Sequence, residues 1–272
     1  MIITPGIIDA VILVGSLGLF CGLVLSIAAH YLSIRENPQI EEILNLLPNA
    51  NCGACGYTTC RDYAKAISTG AESASLCKMG GPETAQKIAA YMGIESPVEE
   101  RKVAVVLCAG DDSAAKRKFL YNGIADCAAA NLIGGGDKVC PYGCLGLGTC
   151  DRVCPVGAIE ITSARLAVVY PEKCIGCGLC VSACPRHLIK LVPADRTIHV
   201  LCSSRETGAQ VREKCSVGCI GCTLCTKITD AIKMDGALAI VDYDKPLTDE
   251  AVILKCPQHT IQKRIGMMAQ KP

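Results

Sequence analysis

The stretch CPYGCLGLGTCDRVCPVGAIEITSARLAVVYPEKCIGCGLCVSACP, residues 140–185, decides the fold of the chain. It holds two groups of cysteines, and each group ends in Cys-Pro. The second group has the spacing C-x2-C-x2-C-x3-C-P, which is typical of chains that bind [4Fe–4S] clusters. The first group is stretched to C-x3-C-x5-C-x3-C-P. Together they predict a ferredoxin-like module with two clusters.

In two-cluster ferredoxins the last cysteine of each motif ligates the cluster of the other motif. Applied here, this rule gives two sets of ligands: Cys174, Cys177, Cys180 and Cys154 for one cluster, and Cys140, Cys144, Cys150 and Cys184 for the other. The stretched spacing of the first motif leaves its exact trio open. Between the motifs, residues 158–161 and 166–170 predict two short strands around a turn at 162–165. A hairpin of this kind fits a ferredoxin fold.

Cysteine usage and charge disfavour several classes of protein. The chain has 21 cysteines in 272 residues, and an odd number at two-residue spacings argues against a disulfide scaffold. Zinc is the alternative for paired C-x2-C motifs, above all in the N-terminal region. Aromatic residues are scarce, with no Trp and two Phe, so metal centres would replace part of a conventional core. The formal charge of +1 gives no indication of a nucleic-acid partner, and none is expected.

Residues 10–29, AVILVGSLGLFCGLVLSIAA, form 20 consecutive positions without a charge. As a helix they would be about 30 Å long, the thickness of the hydrocarbon core of a bilayer. Residues 1–9 contain no Lys or Arg, which favours an uncleaved anchor over a signal peptide. Arg35 after the span favours a single-pass protein of the cytoplasmic membrane, with the bulk of the chain on the cytoplasmic side. Cys21 within the span is either a buried small side chain or a ligand of a membrane cofactor.

A separate group of cysteines lies in and after the segment NCGACGYTTC, residues 51–60. The amphipathic pattern of Ile40–Leu47 predicts a short helix before this segment, and a second helix is predicted after Cys60. The cysteines have the spacing C-x2-C-x4-C-x16-C: Cys52, Cys55, Cys60 and Cys77. One compact unit can therefore supply four ligands to an iron–sulfur cluster or to zinc.

The C-terminal third repeats the plan of the central module. Its cysteines recur after 75 residues, with Cys202, Cys215, Cys219 and Cys225 as the counterparts of Cys127, Cys140, Cys144 and Cys150. Cys184-Pro185 recurs after 72 residues as Cys256-Pro257. All ligands of one cluster are missing, since Thr229, Pro246, Asp249 and Val252 stand in place of Cys154, Cys174, Cys177 and Cys180. One cluster is retained, with Cys219, Cys222, Cys225 and Cys256 as its expected ligands and Cys215 as the competitor of Cys222.

This count gives about four [4Fe–4S] clusters and leaves some cysteines without one: Cys21, Cys108, Cys127, Cys202 and Cys215. Each is expected to be a buried small residue, and a further cluster built from them is the alternative. Val-Leu-Cys occurs at 106–108 and again at 200–202, so Cys108 is a second candidate counterpart of Cys202. Residues 102–108 predict a buried strand. No nicotinamide or flavin fingerprint and no nucleophilic triad is found, so we expect no bond-making site on this chain.

A hydrophobic N-terminal helix, NCGACGYTTC with the distant Cys77, CLGLGTCDRVCPVGAI and CIGCGLCVSACP follow one another along the chain. In this order they resemble the B subunit of the Rnf ion-translocating oxidoreductase complex. The resemblance implies that soluble reduced ferredoxin donates electrons to the chain and that other subunits of a membrane complex receive them. It also implies that the final acceptor is NAD or another compound, and that ion export is driven elsewhere in the membrane.

The expected fold class is α+β, in four parts: a transmembrane anchor (1–34), a small Fe4S4 domain (35–97), a two-cluster ferredoxin-like module with a preceding segment (98–190), and a degenerate one-cluster module (191–272). The expected function is that of an electron-transfer subunit of a translocase. An iron–sulfur redox sensor or activator is the alternative, although a sensor needs only one cluster. A zinc-stabilised scaffold is a third hypothesis.

Overall fold

The computed structural model describes residues 5–32, 37–94, 100–265 and 268–269. The helices are α1 (Pro5–Leu32), α2 (Pro38–Leu46), α3 (Cys60–Ser68), α4 (Gly81–Met92), α5 (Cys127–Leu132), α6 (Thr149–Arg152), α7 (Leu179–Ala183), α8 (Gly208–Lys214) and α9 (Ala251–Leu254). The strands are β1 (Lys102–Val106), β2 (Ile159–Ile161), β3 (Ala167–Val169), β4 (Ile189–Pro193), β5 (Ile198–Val200), β6 (Ile232–Asp235), β7 (Leu238–Val241), β8 (Ile261–Ile265) and β9 (Met268–Ala269). The chain divides into two compact units, residues 1–42 and 43–272.

Helix α1 contains the predicted membrane span. Its segment Asp9–Ala29 is 21 residues long with a mean hydropathy of 2.5, enough by length and composition to cross a membrane. None of this segment is buried within the protein, unlike the core helix of a soluble domain. An apolar surface of this size is typical of a segment that contacts lipid or other membrane helices. Arg35, on which the predicted orientation depends, lies outside the described residues.

The central module is built on two strands that are distant in sequence. Strand β1 runs antiparallel to β4, with Lys102 opposite Pro193 and Val106 opposite Ile189. The side chains of β1 alternate between two apolar clusters, so that both faces of the strand are buried. This explains why residues 103–108 form an unbroken apolar run rather than an alternating one, and it confirms the predicted buried strand.

Strands β2 and β3 form the predicted hairpin beside this pair. Ile159 lies opposite Val169, and the turn closes through a hydrogen bond from the N–H of Arg165 to the carbonyl of Thr162 at 2.8 Å. Arg165 has a φ of +56°, a left-handed conformation that is uncommon outside glycine. The hairpin connects the two cysteine motifs, so that both belong to the central module.

The C-terminal module repeats this arrangement. Strand β5 pairs antiparallel with β8, and β6 and β7 form the second hairpin. The chain leaves β1 and β5 through equivalent hydrogen bonds, from Leu107 N–H to Leu188 O and from Leu201 N–H to Thr260 O, both 2.8 Å long. Cys108 and Cys202, the residues that follow these two leucines, are therefore structural counterparts. This selects Cys108 over Cys127 as the equivalent of Cys202.

Apolar packing occupies the region where the repeat lacks its second set of cysteines. Val252 stands at the position of Cys180 and is fully buried. It packs in one cluster with Leu247, Ile232 and Val241. The C-terminal module thus holds a hydrocarbon core where the central module has Cys154, Cys174, Cys177 and Cys180.

Candidate iron–sulfur sites

The N-terminal cysteines converge on one cavity. Cys52, Cys55, Cys60 and Cys77 all line a cavity of about 340 Å³. The loop that carries the first two turns sharply at Gly53, whose φ is +71°. The side chain of Asn51 accepts a hydrogen bond from the N–H of Cys60 at 2.8 Å.

Tyr63 fixes the fourth cysteine of this site. It lies on α3 and is 1% exposed. Its hydroxyl donates to the carbonyl of Ser73 at 2.7 Å and accepts from the N–H of Leu76 at 3.1 Å. These bonds hold the segment before Cys77 against α3, which begins at Cys60. Burial raises the pKa of Cys77, and the charges of the other thiols of the site add to this shift.

The second set of cysteines combines the two motifs of the central module, with Cys154 from the first and Cys174, Cys177 and Cys180 from the second. Burial is the main cause that raises the pKa of Cys180 to about 12, and the charges of Cys174, Cys177 and Cys154 raise it further. The four thiols therefore lie close enough to act on one another. Backbone groups approach their sulfurs, since Ala158 N–H lies 3.2 Å from Cys154 Sγ.

The partner set contains Cys127 rather than Cys140. A cavity of about 380 Å³ is lined by Cys127, Cys144, Cys150 and Cys184. Burial, with the charges of Cys144, Cys127 and Cys184, raises the pKa of Cys150 to about 12. The structure places Cys140 in a different cavity, so the cysteines around this cavity differ from the sequence-based grouping, which joined Cys140 to this set.

The reason is a polar network around the first turn of α5. Asp126 precedes this helix, and its carboxylate accepts from the N–H of Ala129 at 2.9 Å and from the hydroxyl of Thr149 at 2.8 Å. Arg152 pairs with the same carboxylate at 2.9 Å. Since Thr149 is adjacent to Cys150, this network brings Cys127 to the cavity although Cys127 belongs to no recognisable motif.

The C-terminal cavity holds the retained set of cysteines. Cys219, Cys222, Cys225 and Cys256 line a cavity of about 390 Å³. Cys222, not Cys215, belongs to this group, and it fills the role that Cys127 has in the central module. Its position therefore favours Cys222 over Cys215 as the predicted ligand. Gly221 allows the loop to pass the hairpin, because a Cβ there would lie 2.8 Å from the carbonyl oxygen of Ala237.

One further cavity, of about 420 Å³, was not assigned from the sequence. It too is lined by cysteines: Cys108, Cys140, Cys202 and Cys215. The recurrence of Val-Leu-Cys at 106–108 and 200–202 was the sequence signal for two of them. Nothing in the local spacing joined that pair to Cys140 or Cys215, because the four lie on four separate segments.

These cavities fit polynuclear centres better than single ions. Among the described residues, no three or more His, Cys, Asp or Glu side chains are arranged to hold one metal ion. Four thiols around one cavity are the donor set of a [4Fe–4S] cluster. Burial raises the pKa of many of these thiols, and binding of a cationic iron centre would favour their thiolate form.

Comparison with protein-family models agrees with this chemistry. Residues 47–79 match a family described as a putative Fe-S cluster, and residues 167–190 match the 4Fe-4S binding domain. The fold and the sites thus define an iron–sulfur protein with several tetracysteine sites and a helix able to span a membrane.

Relatives that match along most of the chain then give the family. The chain is 35% identical to the B subunit of the ion-translocating oxidoreductase complex of Methanosarcina acetivorans, over 95% of this chain and 98% of the relative. It is 39% identical to the B subunit of the proton-translocating ferredoxin:NAD(+) oxidoreductase complex of Clostridium ljungdahlii, over 90% and 88% of the two chains. Identity is also 39% to the Na(+)-translocating counterpart of Acetobacterium woodii, over 92% and 75%. The chain belongs to the family of B subunits of ion-translocating oxidoreductase (Rnf) complexes.

Proposed function

We propose that this chain is the membrane-anchored electron-transfer subunit of an ion-translocating oxidoreductase complex, which takes single electrons from reduced ferredoxin and delivers them to other subunits. Four [4Fe–4S] clusters are assigned to the cysteine sets 52/55/60/77, 154/174/177/180, 127/144/150/184 and 219/222/225/256. When bound, such clusters accept and release electrons one at a time. The names of the relatives from Clostridium ljungdahlii and Acetobacterium woodii support ferredoxin as the donor.

The observation that carries the proposal is the contiguity of the sites. Burial is the main cause of the raised pKa of Cys177, but the charge of Cys52 in the N-terminal site also contributes. In the same way, the charge of Cys180 contributes to the raised pKa of Cys150. The second site therefore lies near both the first and the third. Neighbouring sites suit a relay, whereas a sensor would need only one.

The chain's own residues direct backbone N–H groups at the sulfurs. Ala104 N–H lies 3.4 Å from Cys174 Sγ, and Leu188 N–H lies 3.5 Å from Cys184 Sγ. Hydrogen bonds of this kind stabilise the more negative, reduced state and so raise the potential of a centre. Burial acts in the opposite direction, since it disfavours added charge.

The orientation and the domain boundaries belong to the same proposal. A single span with the iron–sulfur modules on the cytoplasmic side would put the sites where soluble ferredoxin is found. The division into residues 1–34, 35–97, 98–190 and 191–272 stays a prediction. Two of its boundaries fall in segments outside the described residues.

Anaerobic mixing with reduced ferredoxin tests the proposed function. The full-length chain, purified in detergent, should oxidise reduced ferredoxin and lose visible absorption as its own centres become reduced. The matched control is the same chain after removal of iron, which should leave ferredoxin reduced. A colourless protein that contains zinc, or a coloured one that ferredoxin does not reduce, would refute the proposal.

The assignment of Cys127 has its own test. Replacing it in a Cys127→Ser variant should lower the iron content by about four atoms per chain, because one [4Fe–4S] site loses a ligand. Cys21→Ser, in the span, is the matched control and should keep the iron content of the unmodified chain. If Cys127→Ser keeps its full iron content, the revised set is incorrect.

A further inference from the structure

The cavity lined by Cys108, Cys140, Cys202 and Cys215 lies between the two ferredoxin-like modules. Each module contributes one cysteine from the segment after its first strand and one from the segment before its next cysteine motif. The segments that carry Cys108 and Cys202 are hydrogen-bonded to each other. Ala109 N–H donates to Leu201 O at 3.0 Å, and Ser203 Oγ donates to Leu107 O at 2.9 Å. The site is therefore formed by equivalent parts of a repeat.

An extended segment brings the second pair of cysteines together. Residues 114–118 lie between the two segments that carry Cys140 and Cys215. On one side Lys116 N–H donates to Lys214 O at 2.9 Å, and on the other Val139 N–H donates to Lys116 O at 2.8 Å. One residue, Lys116, thus connects both cysteine segments through its backbone. The cysteines themselves have equivalent surroundings, since backbone N–H groups of Tyr142 and Val217 approach Cys140 and Cys215 respectively.

Glycine leaves the space between two of the sulfurs open. A Cβ at Gly110 would lie 3.2 Å from Cys215 Sγ and 3.7 Å from Cys108 Sγ. Both thiols therefore face the same small region around this residue. Any larger side chain at this position would enter the space between them.

A buried cation accompanies the site. Lys138 is fully buried, and its ammonium group donates to the carbonyl of Gly110 at 2.7 Å. Within the part of the chain that the structure describes, it forms no ion pair with a carboxylate. Burial raises the pKa of Cys215, and the charge of Lys138 opposes that shift. The charge of Lys138 also acts on the carboxylate of Asp111. A tetrathiolate cluster would be a further anion near this buried cation.

The cavity also connects the C-terminal site with the other three. On one side Cys144 N–H lies 3.3 Å from Cys108 Sγ, and Cys144 belongs to the set 127/144/150/184. On the other side the backbone of Cys219, from the set 219/222/225/256, donates to the thiol of Cys202. This cavity thus adjoins both the set 127/144/150/184 and the set 219/222/225/256.

We propose that Cys108, Cys140, Cys202 and Cys215 hold a fifth [4Fe–4S] cluster that passes electrons between the two modules. The inference rests on the proposed function, which supplies both the type of cofactor and its role in electron transfer. An electron gained by a cluster at this site would come from the cluster held by the set 127/144/150/184 and would pass on to the cluster held by the set 219/222/225/256, or the reverse. No bond is broken and no other reductant is required.

Iron analysis of the full-length chain tests the fifth cluster. The unmodified chain should contain about 20 iron atoms, and the Cys202→Ser and Cys215→Ser variants about 16 each, because four iron atoms occupy each site. Cys21→Ser is the matched control and should equal the unmodified chain. About 16 iron atoms in the unmodified chain, unchanged in both variants, would overturn the fifth cluster and leave the four-cluster relay intact. Zinc that disappears in Cys215→Ser would also overturn it.

A second measurement needs no variant and so does not depend on whether a variant folds. Native mass spectrometry of the unmodified chain should show a mass that corresponds to five clusters. A reductive titration should take up about five electrons per chain, one for each cluster. Four clusters and four electrons would refute this inference alone. No clusters, or no reduction by ferredoxin, would instead refute the proposed function.

Discussion

The backbone N–H of Cys127 donates to Oγ1 of Thr149 at 2.7 Å. The two residues are 22 positions apart in sequence, yet this bond places Cys127 in the same cavity as Cys150. The Thr149 hydroxyl also donates to Asp126, which caps α5, the helix that begins at Cys127. The Thr149 side chain therefore links the start of α5 to the third cysteine of the first motif, Cys150.

Removal of that hydroxyl should loosen the cluster without removing a ligand. In a Thr149→Val variant the N–H of Cys127 loses its acceptor, at a cost of about 1–3 kcal/mol for a polar group left unpaired. We expect iron to be lost to a chelator faster than from the unmodified chain. Thr149→Ser keeps the hydroxyl and is the matched control. Equal rates of iron loss in the two variants would show that the bond does not support the site.

The sequence predicted the parts of the fold that depend on local patterns. The β2–β3 hairpin, the buried strand β1 and the apolar helix α1 follow from alternation, from an unbroken apolar run and from a charge-free stretch, and each was confirmed. The pairing of β1 with β4 was not predicted, because it joins segments about 90 residues apart through backbone hydrogen bonds that leave no mark on spacing.

The same distinction explains the sites. Residues of C-x2-C motifs were grouped from spacing because a short loop fixes where their sulfurs lie. Cys127 and Cys108 belong to no motif, and their groups are set by Asp126, by Thr149 and by the pairing of the strand ends. Cys140 was grouped with Cys144 because the two are close in sequence. In the structure, however, Cys140 lines a different cavity.

Val252 should contribute to stability as a core residue in the module that lacks a second cluster. Val252→Ala removes two methyl groups from a fully buried side chain, and we expect a loss of about 1–3 kcal/mol in the free energy of unfolding. Leu254→Ala lies on the same short helix at a side chain that is 84% exposed. It should change stability by less than about 0.5 kcal/mol. Similar losses in both variants, measured by thermal unfolding, would contradict the role assigned to Val252.

Gly146 should tolerate no side chain because its loop passes close to the β2–β3 turn. Its φ is +65°, and a Cβ there would overlap the carbonyl oxygen of Arg165. Gly157 is the matched control, since it has a φ of +58° but nothing near the Cβ position. Both alanine variants bear the backbone strain of about 1–2 kcal/mol. Gly146→Ala should unfold at a lower temperature than Gly157→Ala, and an equal or higher midpoint would exclude the steric conflict.

His199 should make the stability of the C-terminal module depend on pH. Its ring is 2% exposed, and Nδ1 lies 3.0 Å from the hydroxyl of Tyr243. Burial, with a smaller effect of the Arg264 charge, lowers its pKa from 6.5 to about 4 in the folded state. In the unfolded chain the pKa is about 6.5.

The sign of this dependence follows from which state binds the proton. Between about pH 6.5 and pH 4 the unfolded chain is protonated at His199 while the folded chain is not. The free energy of unfolding is therefore unaffected by this residue above about pH 6.5 and falls as the pH decreases through that window. We expect the unmodified chain to lose about 1 kcal/mol between about pH 7.5 and pH 5.5 through this residue. His199→Gln cannot titrate and keeps a polar group for Tyr243, so its thermal midpoint should fall less over the same range. Parallel pH profiles for the two proteins would mean that His199 does not titrate in this way.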